Sequence, residues 1–376
     1  MRKFIVKIFL SYIFFIFFSF KSYAIESVAK TALLIDLSTG ETFLEKNSQL
    51  RTYPSSMTKI MTALMAFEKI KEGTLSLDQE FLISKKAWKM GGSKMFIEVD
   101  KKVTVSDLLL GVVVQSGNDA SIAIAEGISG SEEIFAIEMN NLAKKIGLSD
   151  TNFVNSSGWP NDNHYTTAQD LAKIAIYTLN EHPEFYKMYG VTEFTYNGIK
   201  QDNRNPLLYS FDGADGFKTG HTQAAGYGLV GSAERGGRRL LLVLNGLETS
   251  RSRAQEALRL MDWGFNNFQL VEFYKKNEVV IEADTWLGKK EKVKLSSIKD
   301  VSVSIPKSHL SDMKVEVLVE EPIQTPISQG DKIGTLQISY QDNQLQFPLI
   351  SSEDIEQKGF FSRITSALKY LVLGSN

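Results

Sequence analysis

The chain has 376 residues, of which 43% are hydrophobic, with 42 Lys and Arg against 44 Asp and Glu, giving a net charge of -2. This length exceeds one ordinary domain, and the apolar content supports a buried core and excludes a mostly disordered chain. The charge balance leaves no basic excess, which argues against nucleic acid as a partner. The absence of cysteine excludes disulfides, thiol nucleophiles and cysteine-based metal sites.

The N-terminus has the three parts of a secretory signal. Three basic residues precede an uncharged stretch over 8–20 that is rich in Phe and Ile. This stretch is short for a membrane span, which needs about 20 residues. Ser22 and Ala24 then place small side chains at the positions that a signal peptidase reads. We therefore predict a signal peptide over 1–24 and an exported mature protein.

The region 25–266 mixes both kinds of secondary structure. Its patterns predict strands at 31–36, 41–45, 225–233 and 239–247 and helices at 57–70, 108–114, 119–126 and after 170. We expect Asn118 to cap the third of these helices. The unbroken apolar run 240–244 predicts a central strand that is buried on both faces. An α+β domain follows, with a helical layer packed on a mainly antiparallel sheet.

The pattern changes over 267–350, where apolar residues recur with period two between turn formers. The alternating runs are Val301, Val303 and Ile305; Val315, Val317 and Val319; and Leu345, Phe347 and Leu349. They predict a small all-β domain, a sandwich or a barrel. Its acidic residues form no recognisable catalytic or metal-binding motif.

The last segment, 351–376, is predicted to be a linker followed by an amphipathic helix. Its apolar side chains fall on one side of a helical wheel, at Phe360, Phe361, Ile364, Ala367, Leu368, Leu371 and Val372. Arg363 and Lys369 lie on or near the other side. We expect this helix to lie on an anionic membrane surface; docking on the β domain is the alternative.

Three short motifs could carry chemistry. Ser56 and Lys59 stand three residues apart at the start of a predicted helix, which places both on one face. A serine hydroxyl is a weak nucleophile that needs an adjacent base, and a lysine with a lowered pKa can serve. Ser116-Gly117-Asn118 and Lys218-Thr219-Gly220-His221-Thr222 follow. Each alone is ambiguous, because serine and lysine are common on helices and glycine commonly ends them.

The three motifs in this order resemble the signature of penicillin-recognising serine acyltransferases. The chain is most similar to the low-molecular-mass penicillin-binding proteins that are D-alanyl-D-alanine carboxypeptidases. The resemblance extends to the segments Pro54–Lys59, His164–Ala168 and Trp263–Phe265, and to Arg253. It implies a transpeptidase-type domain of the β-lactamase and penicillin-binding-protein fold, over 25–266, that acts on peptidoglycan stem peptides and is acylated by β-lactam antibiotics. It also implies a location on the periplasmic face of the inner membrane.

The resemblance also implies a role for each residue. Ser56 would be the nucleophile, Lys59 its base and Ser116 a proton relay, while Asn118 would hold Lys59 and the substrate amide. Burial and the Lys218 cation would keep Lys59 neutral. The backbone of Ser56 and His221 would form the oxyanion hole, and the Lys218–Thr222 strand would pair with the peptide. Thr219, Thr222 and Arg253 would bind the terminal carboxylate, with Arg251 as a competitor. No metal or cofactor is required.

The remaining histidines match no zinc-binding spacing. We expect His182 and His309 to be exposed and His164 to be structural.

Three alternatives remain open. A class A β-lactamase needs a glutamate for deacylation, and this chain has Ile176 and Leu241 at the corresponding spacing before its two Leu-Asn pairs. A D,D-endopeptidase would share the same domain, and an inactive peptidoglycan-binding scaffold would share the fold without the reaction.

Overall fold

The computed structural model describes residues 25–365. The predicted signal peptide and most of the predicted tail helix lie outside the described residues.

The first region contains the helices α1 (Lys59–Lys71), α2 (Lys85–Lys89), α3 (Val105–Val113), α4 (Asn118–Ser129), α5 (Glu132–Lys145), α6 (Ala168–Glu181), α7 (Pro183–Tyr186), α8 (Leu207–Ser210) and α9 (Ser250–Asn267). Its strands are β1 (Thr31–Asp36), β2 (Thr42–Lys46), β3 (Glu80–Leu82), β4 (Lys102–Thr104), β5 (Glu193–Tyr196), β6 (Ile199–Asp202), β7 (Ala214–Thr222), β8 (Gly226–Arg235) and β9 (Arg238–Leu247). Short 3-10 helices span Ser55–Thr58 and Lys187–Gly190. The predicted strands and helices are confirmed, with ends that differ by a few residues.

A five-stranded antiparallel sheet organises this region, in the order β2-β1-β9-β8-β7. Strand β9 is central, and side chains alternate along it. Leu241 and Val243 face the core formed with α1 and α3–α6. Leu240, Leu242 and Leu244 face a second core that includes α9. The apolar run is unbroken because helices cover both faces of this strand, as predicted.

The second region is all-β, as predicted. Its strands are β10 (Phe268–Tyr274), β11 (Val279–Trp286), β12 (Lys292–Ser297), β13 (Val301–Pro306), β14 (Lys314–Val319), β15 (Ile323–Gln324), β16 (Lys332–Tyr340) and β17 (Asn343–Ser351). A six-stranded sheet, β14-β16-β17-β12-β11-β15, shares one apolar core with the β10–β13 pair. Helix α9 ends and β10 begins next to the predicted domain boundary at 266/267.

The chain turns helical again at 360–365. In this turn Phe360, Phe361 and Ile364 are 63%, 81% and 45% exposed. Within residues 25–365, no helix combines the length and the apolar character needed to cross a bilayer.

Candidate active site

The first motif forms a tight pair at the start of α1. The 3-10 turn at 55–58 runs directly into the helix, so that Ser56 and Lys59 lie on adjacent turns. Lys59 Nζ lies 3.0 Å from Ser56 Oγ and donates hydrogen bonds of 2.7 Å to Asn118 Oδ1 and to the Ser157 carbonyl. The Lys59 side chain is fully buried. The nucleophile and base proposed from the sequence are therefore in direct contact.

Burial, together with the positive charge of Arg204 and against the opposing charge of Asp119, lowers the pKa of Lys59 to about 7. Burial likewise lowers the pKa of Lys218 well below its usual range, and Lys59 adds to that shift. The repulsion between Lys59 and Lys218 is mutual, so that each amine disfavours the protonated form of the other, in the direction expected from the sequence. Arg204 is a further cation that lowers the pKa of Lys59.

The second motif lies at the start of α4, where Asn118 contacts Lys59. Asn118 is the first residue of the helix, and Gly117 occupies the capping position without a side-chain bond. The prediction that Asn118 caps this helix is therefore wrong. Its side chain instead accepts a hydrogen bond from Lys59 through Oδ1 and donates one to the Gly91 carbonyl through Nδ2. Ser116 has a φ of +59°. Its buried Oγ has no hydrogen-bond partner among the described residues.

The third motif lies on β7, an edge strand of the main sheet. Lys218 is buried and donates to the Thr219 carbonyl at 3.1 Å. The 3-10 turn at 55–58, which we call the nucleophile turn, lies close to this strand. Gly220 allows that approach, because a Cβ there would lie 2.8 Å from the Pro54 carbonyl oxygen. His221 is exposed and stacks on Tyr227 with ring centroids 3.9 Å apart.

A cavity of about 450 Å³, which we call the catalytic cavity, opens in front of the nucleophile. It is lined by Ser56, Ser93, Ser116, Arg204, Thr219, Gly220, His221, Tyr227, Ser250 and Arg253. Five predicted site residues do not line this cavity: Lys59, Asn118 and Lys218 are buried, Thr222 lines a neighbouring cavity, and Arg251 is exposed on α9. Thr222 Oγ1 accepts from Ser55 Oγ at 3.2 Å and from the Ala225 amide at 3.1 Å.

Arg253 brings a positive charge to this cavity. It is only 7% exposed, and its Nη2 donates to the Arg204 carbonyl and to Ser250 Oγ at 3.3 Å. Among the described residues no acid pairs with it, and Nε has no partner. A buried guanidinium without a counter-ion is suited to a ligand carboxylate.

Several groups that complete the site were not predicted from the sequence. Arg204 Nη1 donates to Ser93 Oγ at 2.6 Å across the cavity, but neither residue belongs to a recognised motif. The Ser157 carbonyl is a backbone group, which no residue pattern marks. Gly158 has a φ of +78° and abuts the Ser55 carbonyl. The sequence Ser156-Ser157-Gly158 was a signal for a tight turn, though not for its location.

Two histidine expectations were wrong. His182 is fully buried, and its Nε2 donates to Glu68 Oε1 at 2.6 Å. His309 is half-buried rather than exposed. His164 hydrogen-bonds Thr58 Oγ1 through Nε2 at 2.9 Å, and burial, with a smaller contribution from Lys59, lowers its pKa to about 4. A neutral His164 that supports the nucleophile turn is consistent with the structural role expected for it.

Comparison with known proteins gives the same picture for both regions. Residues 19–249 match a family model described as D-alanyl-D-alanine carboxypeptidase, and residues 268–357 match one described as penicillin-binding protein 5, C-terminal domain. The chain is 36% identical over 345 residues to the D-alanyl-D-alanine carboxypeptidase DacC of Escherichia coli, covering 89% of this chain and 86% of that protein.

Solved structures agree. Penicillin-binding protein 5 from Haemophilus influenzae superposes with a TM-score of 0.80 at 35% identity, covering 88% of this chain and 98% of that one. Penicillin-binding protein D2 from Listeria monocytogenes, solved in an ampicillin-bound form, superposes with a TM-score of 0.59 at 31% identity. That match covers 64% of this chain and 99% of the other.

Proposed function

The chain belongs to the D-alanyl-D-alanine carboxypeptidase family, and from that membership we propose which of its residues carry out the reaction. The protein is a serine-type peptidase of the penicillin-binding-protein class, and peptidoglycan is its substrate. The serine β-lactamase and D,D-endopeptidase alternatives are not favoured by the comparisons. The contact between Ser56 and a buried, weakly basic Lys59 carries the assignment of the nucleophile and base.

Ser56 Oγ attacks the carbonyl carbon of the penultimate D-alanine, and neutral Lys59 takes its proton. A neutral amine has two N–H groups and one lone pair. Asn118 Oδ1 and the Ser157 carbonyl accept the two N–H groups, so the lone pair is directed at Ser56 Oγ. This arrangement orients Lys59 as a general base before the substrate arrives.

The tetrahedral intermediate is stabilised by the backbone N–H groups of Ser56 and His221, each donor contributing about 3–4 kcal/mol in comparable enzymes. Ser116, whose hydroxyl is otherwise unpartnered, gives its proton to the departing D-alanine amine as the peptide bond breaks and takes in return the proton that Lys59 received from Ser56, so that both residues regain their starting states. Water then hydrolyses the Ser56 ester, which releases the shortened peptide and restores the hydroxyl.

The substrate is held as an added strand along β7. Its terminal carboxylate binds to Arg253 and Thr219 in the catalytic cavity. Thr222 also contacts the nucleophile turn through Ser55, and because its hydroxyl accepts both of its hydrogen bonds, its proton stays free to donate to the same carboxylate. A β-lactam presents a similar carbonyl and carboxylate, and would acylate Ser56. The ampicillin-bound relative supports this second ligand class.

Replacing Ser56 by Ala tests the nucleophile. The wild-type protein should release D-alanine from a pentapeptide ending in D-Ala-D-Ala and form a stable adduct with a fluorescent penicillin. Ser56→Ala should do neither, while Ser55→Ala should still be labelled, at a lower rate, because it loses the contact with Thr222 that supports the turn but keeps the Ser56–Lys59 pair. Labelling of Ser56→Ala would disprove the assignment, and rapid turnover of the drug would favour a β-lactamase.

We also propose that the protein is exported through residues 1–24 and is held peripherally on the periplasmic face of the membrane by its C-terminal helix. The apolar side chains exposed at 360–365 support an interfacial helix. The N-terminal segment and residues 366–376 lie outside the described residues, so this proposal rests mainly on the sequence pattern.

A further inference from the structure

The segment 153–158, which we call the acceptor loop, supplies one of the two groups that orient the base. The carbonyl of Ser157 accepts a hydrogen bond from Lys59 at 2.7 Å. The acceptor loop forms neither helix nor strand, and such segments are more mobile than the elements that they connect. The direction of the Lys59 amine therefore depends on the contacts that hold this loop in place.

Ser156, the residue just before that carbonyl, is held from two sides. Its own carbonyl accepts a hydrogen bond from Thr62 Oγ1 on α1 at 2.5 Å. Its backbone N–H and its hydroxyl both donate to Glu132 Oε1, at 3.1 Å and 2.8 Å. All three residues are buried, and hydrogen bonds are electrostatically stronger in such a low-dielectric environment than in water. Two consecutive carbonyls of the acceptor loop thus bind to α1, one to Thr62 and the next to Lys59.

Glu132 brings a buried carboxylate to this loop. Burying a charge is costly unless the charge is paired and hydrogen-bonded. Glu132 is the first residue of α5, where the helix dipole favours an acid, and its Oε2 lies 3.1 Å from Lys86 Nζ. One carboxylate oxygen is thereby compensated by Lys86, while the other binds Ser156. Glu132 does not line the catalytic cavity, so it acts on the loop and not on the substrate.

Other contacts fix the loop at its two ends. Asn140, further along α5, donates to the Phe153 carbonyl at 2.7 Å and accepts from the Phe153 amide at 2.8 Å. Asn155 Oδ1 accepts from the Gly158 amide at 2.8 Å. The contact with Glu132 differs from these in its place, because it is made at the residue that adjoins the acceptor carbonyl.

We propose that Glu132 is a positioning residue for the reaction: through Ser156 it fixes the Ser157 carbonyl that orients neutral Lys59. This proposal rests on the proposed function, because it takes Lys59 to be the general base. Without a correctly placed carbonyl, only Asn118 would hold an N–H group of the amine. The lone pair of the amine would then no longer be directed at the nucleophile.

Acylation by a fluorescent penicillin at pH 9 tests the proposal, because Lys59 is then largely neutral and the loss of a nearby negative charge cannot change its protonation. Glu132→Ala should lower the limiting rate constant about ten- to a hundredfold, as expected for a misplaced catalytic group. The penicillin concentration for half-maximal rate should change little, because Glu132 does not line the catalytic cavity. Labelling should still go to completion, whereas partial unfolding would lower the labelled fraction and not the rate constant.

Two further variants separate the hydrogen bonds from the charge. Glu132→Gln removes the charge but keeps an oxygen that accepts from Ser156, so it should restore acylation to near the wild-type rate. Glu133→Ala is the matched control, because Glu133 also pairs with Lys86, at 2.9 Å, but is exposed and makes no hydrogen bond to the acceptor loop within residues 25–365. It should be acylated at the wild-type rate.

If Glu132→Ala does not fold, Thr62→Val takes its place, since it removes the other side-chain hydrogen bond to Ser156. It should also slow acylation while labelling goes to completion. A wild-type rate constant in the folded variant, or a Glu132→Gln protein as slow as Glu132→Ala, would overturn the proposal. Failure of the wild-type protein to be labelled, or an unchanged rate in Lys59→Ala, would instead overturn the mechanism on which the proposal rests.

Discussion

Lys59 owes its reactivity to its surroundings rather than to its place in the motif. Full burial lowers its pKa to about 7, so that at neutral pH about half of the molecules hold a neutral amine against Ser56. The positive charge of Arg204, which lines the catalytic cavity, contributes to this shift. A lysine at the same spacing on an exposed helix would remain protonated and could not act as a base.

This surrounding charge predicts the pH dependence of acylation. Because only neutral Lys59 accepts the Ser56 proton, the rate should rise as the pH rises through about 7 and then level off. In Arg204→Gln the loss of a nearby cation favours protonated Lys59 and raises its pKa, so the rise should move to higher pH. The measurement is the rate constant for acylation by a fluorescent penicillin between pH 5 and 9.

Arg251→Gln is the control for charge, because Arg251 is exposed on α9 and does not line the catalytic cavity. It should keep the wild-type profile. A rate that does not change with pH, or an Arg204→Gln profile that stays in place, would contradict the role given to these two residues.

At the scale of elements, the nucleophile turn is wedged between a loop and a strand. Gly158 lies on one side, where a Cβ would be 1.7 Å from the Ser55 carbonyl oxygen. Gly220 on β7 lies on the other side, where a Cβ would be 2.8 Å from the Pro54 carbonyl oxygen. Side chains at either position would push the turn away from Lys59. The two glycines thus allow the backbone contacts that place Ser56.

Gly158→Ala should therefore abolish acylation as well as lower stability. The φ of +78° costs a non-glycine residue about 1–3 kcal/mol, and the clash with Ser55 must in addition displace the nucleophile. Gly147→Ala is matched in backbone angle, with a φ of +77° and no atom within 4 Å of the added Cβ. It should lose only the backbone term, about 1–3 kcal/mol of stability, and keep acylation.

Penicillin labelling and urea denaturation of both variants separate the two effects. Normal labelling by a folded Gly158→Ala protein would show that the close approach to Ser55 is not required for the reaction.

At the scale of the whole molecule, a buried polar cluster joins the two regions. Asp36 on β1 accepts hydrogen bonds from Arg238 Nε at 2.7 Å and from Ser304 Oγ on β13 at 2.5 Å. Glu41 lies beside this cluster, and burial together with the Asp36 charge raises its pKa to about 7. Asp36 is thus compensated by partners from both regions, while an ionised Glu41 is unfavourable next to it.

Glu41 should make the stability of the protein depend on pH. Its folded pKa of about 7 exceeds the unfolded value of 4.5, so the folded state holds the extra proton between these values and loses stability as the pH rises through them. Glu41→Gln, which mimics the protonated side chain, should raise the free energy of unfolding at pH 8 by at most about 3 kcal/mol. At pH 4 it should change little.

Chemical denaturation at the two pH values measures this difference. Glu80→Gln, at an exposed position on β3, should alter stability by no more than about 0.5 kcal/mol at either pH. An equal effect of Glu41→Gln at pH 4 and pH 8 would argue against a titrating Glu41 at this contact.

The proposed membrane attachment concerns the location of the entire protein and can be tested by shortening the chain. Deletion of residues 359–376 should release the mature protein into the soluble fraction, because the apolar side chains at Phe360, Phe361 and Ile364 would be lost. Activity on a small peptide should persist, since the catalytic cavity is built only from residues between 56 and 253. Retention of the shortened protein on membranes would contradict the proposal.

Sequence patterns alone predicted the main strands and several helices of the first region, the division into an α+β and an all-β region, and the three motifs. These are local properties: apolar periodicity reports which faces are buried, and motif spacing reports which side chains share a helix face. The patterns even predicted β9 as a doubly buried strand, because five apolar residues in a row need cover on both sides. The prediction that His182 is exposed was wrong because its burial depends on Glu68, a partner 114 residues away that no local pattern indicates.

How the motifs come together, and which charges act on them, depends on contacts between segments far apart in the sequence. Arg204, Ser93 and the Ser157 carbonyl reach the site from loops without a motif, and Asn118 proved to hold Lys59 instead of capping its helix. The pKa of Lys59 depends on burial and on charges distant in sequence, which arise only when separate segments pack together. Local patterns therefore identified the reacting groups, whereas long-range packing established the electrostatics under which they react.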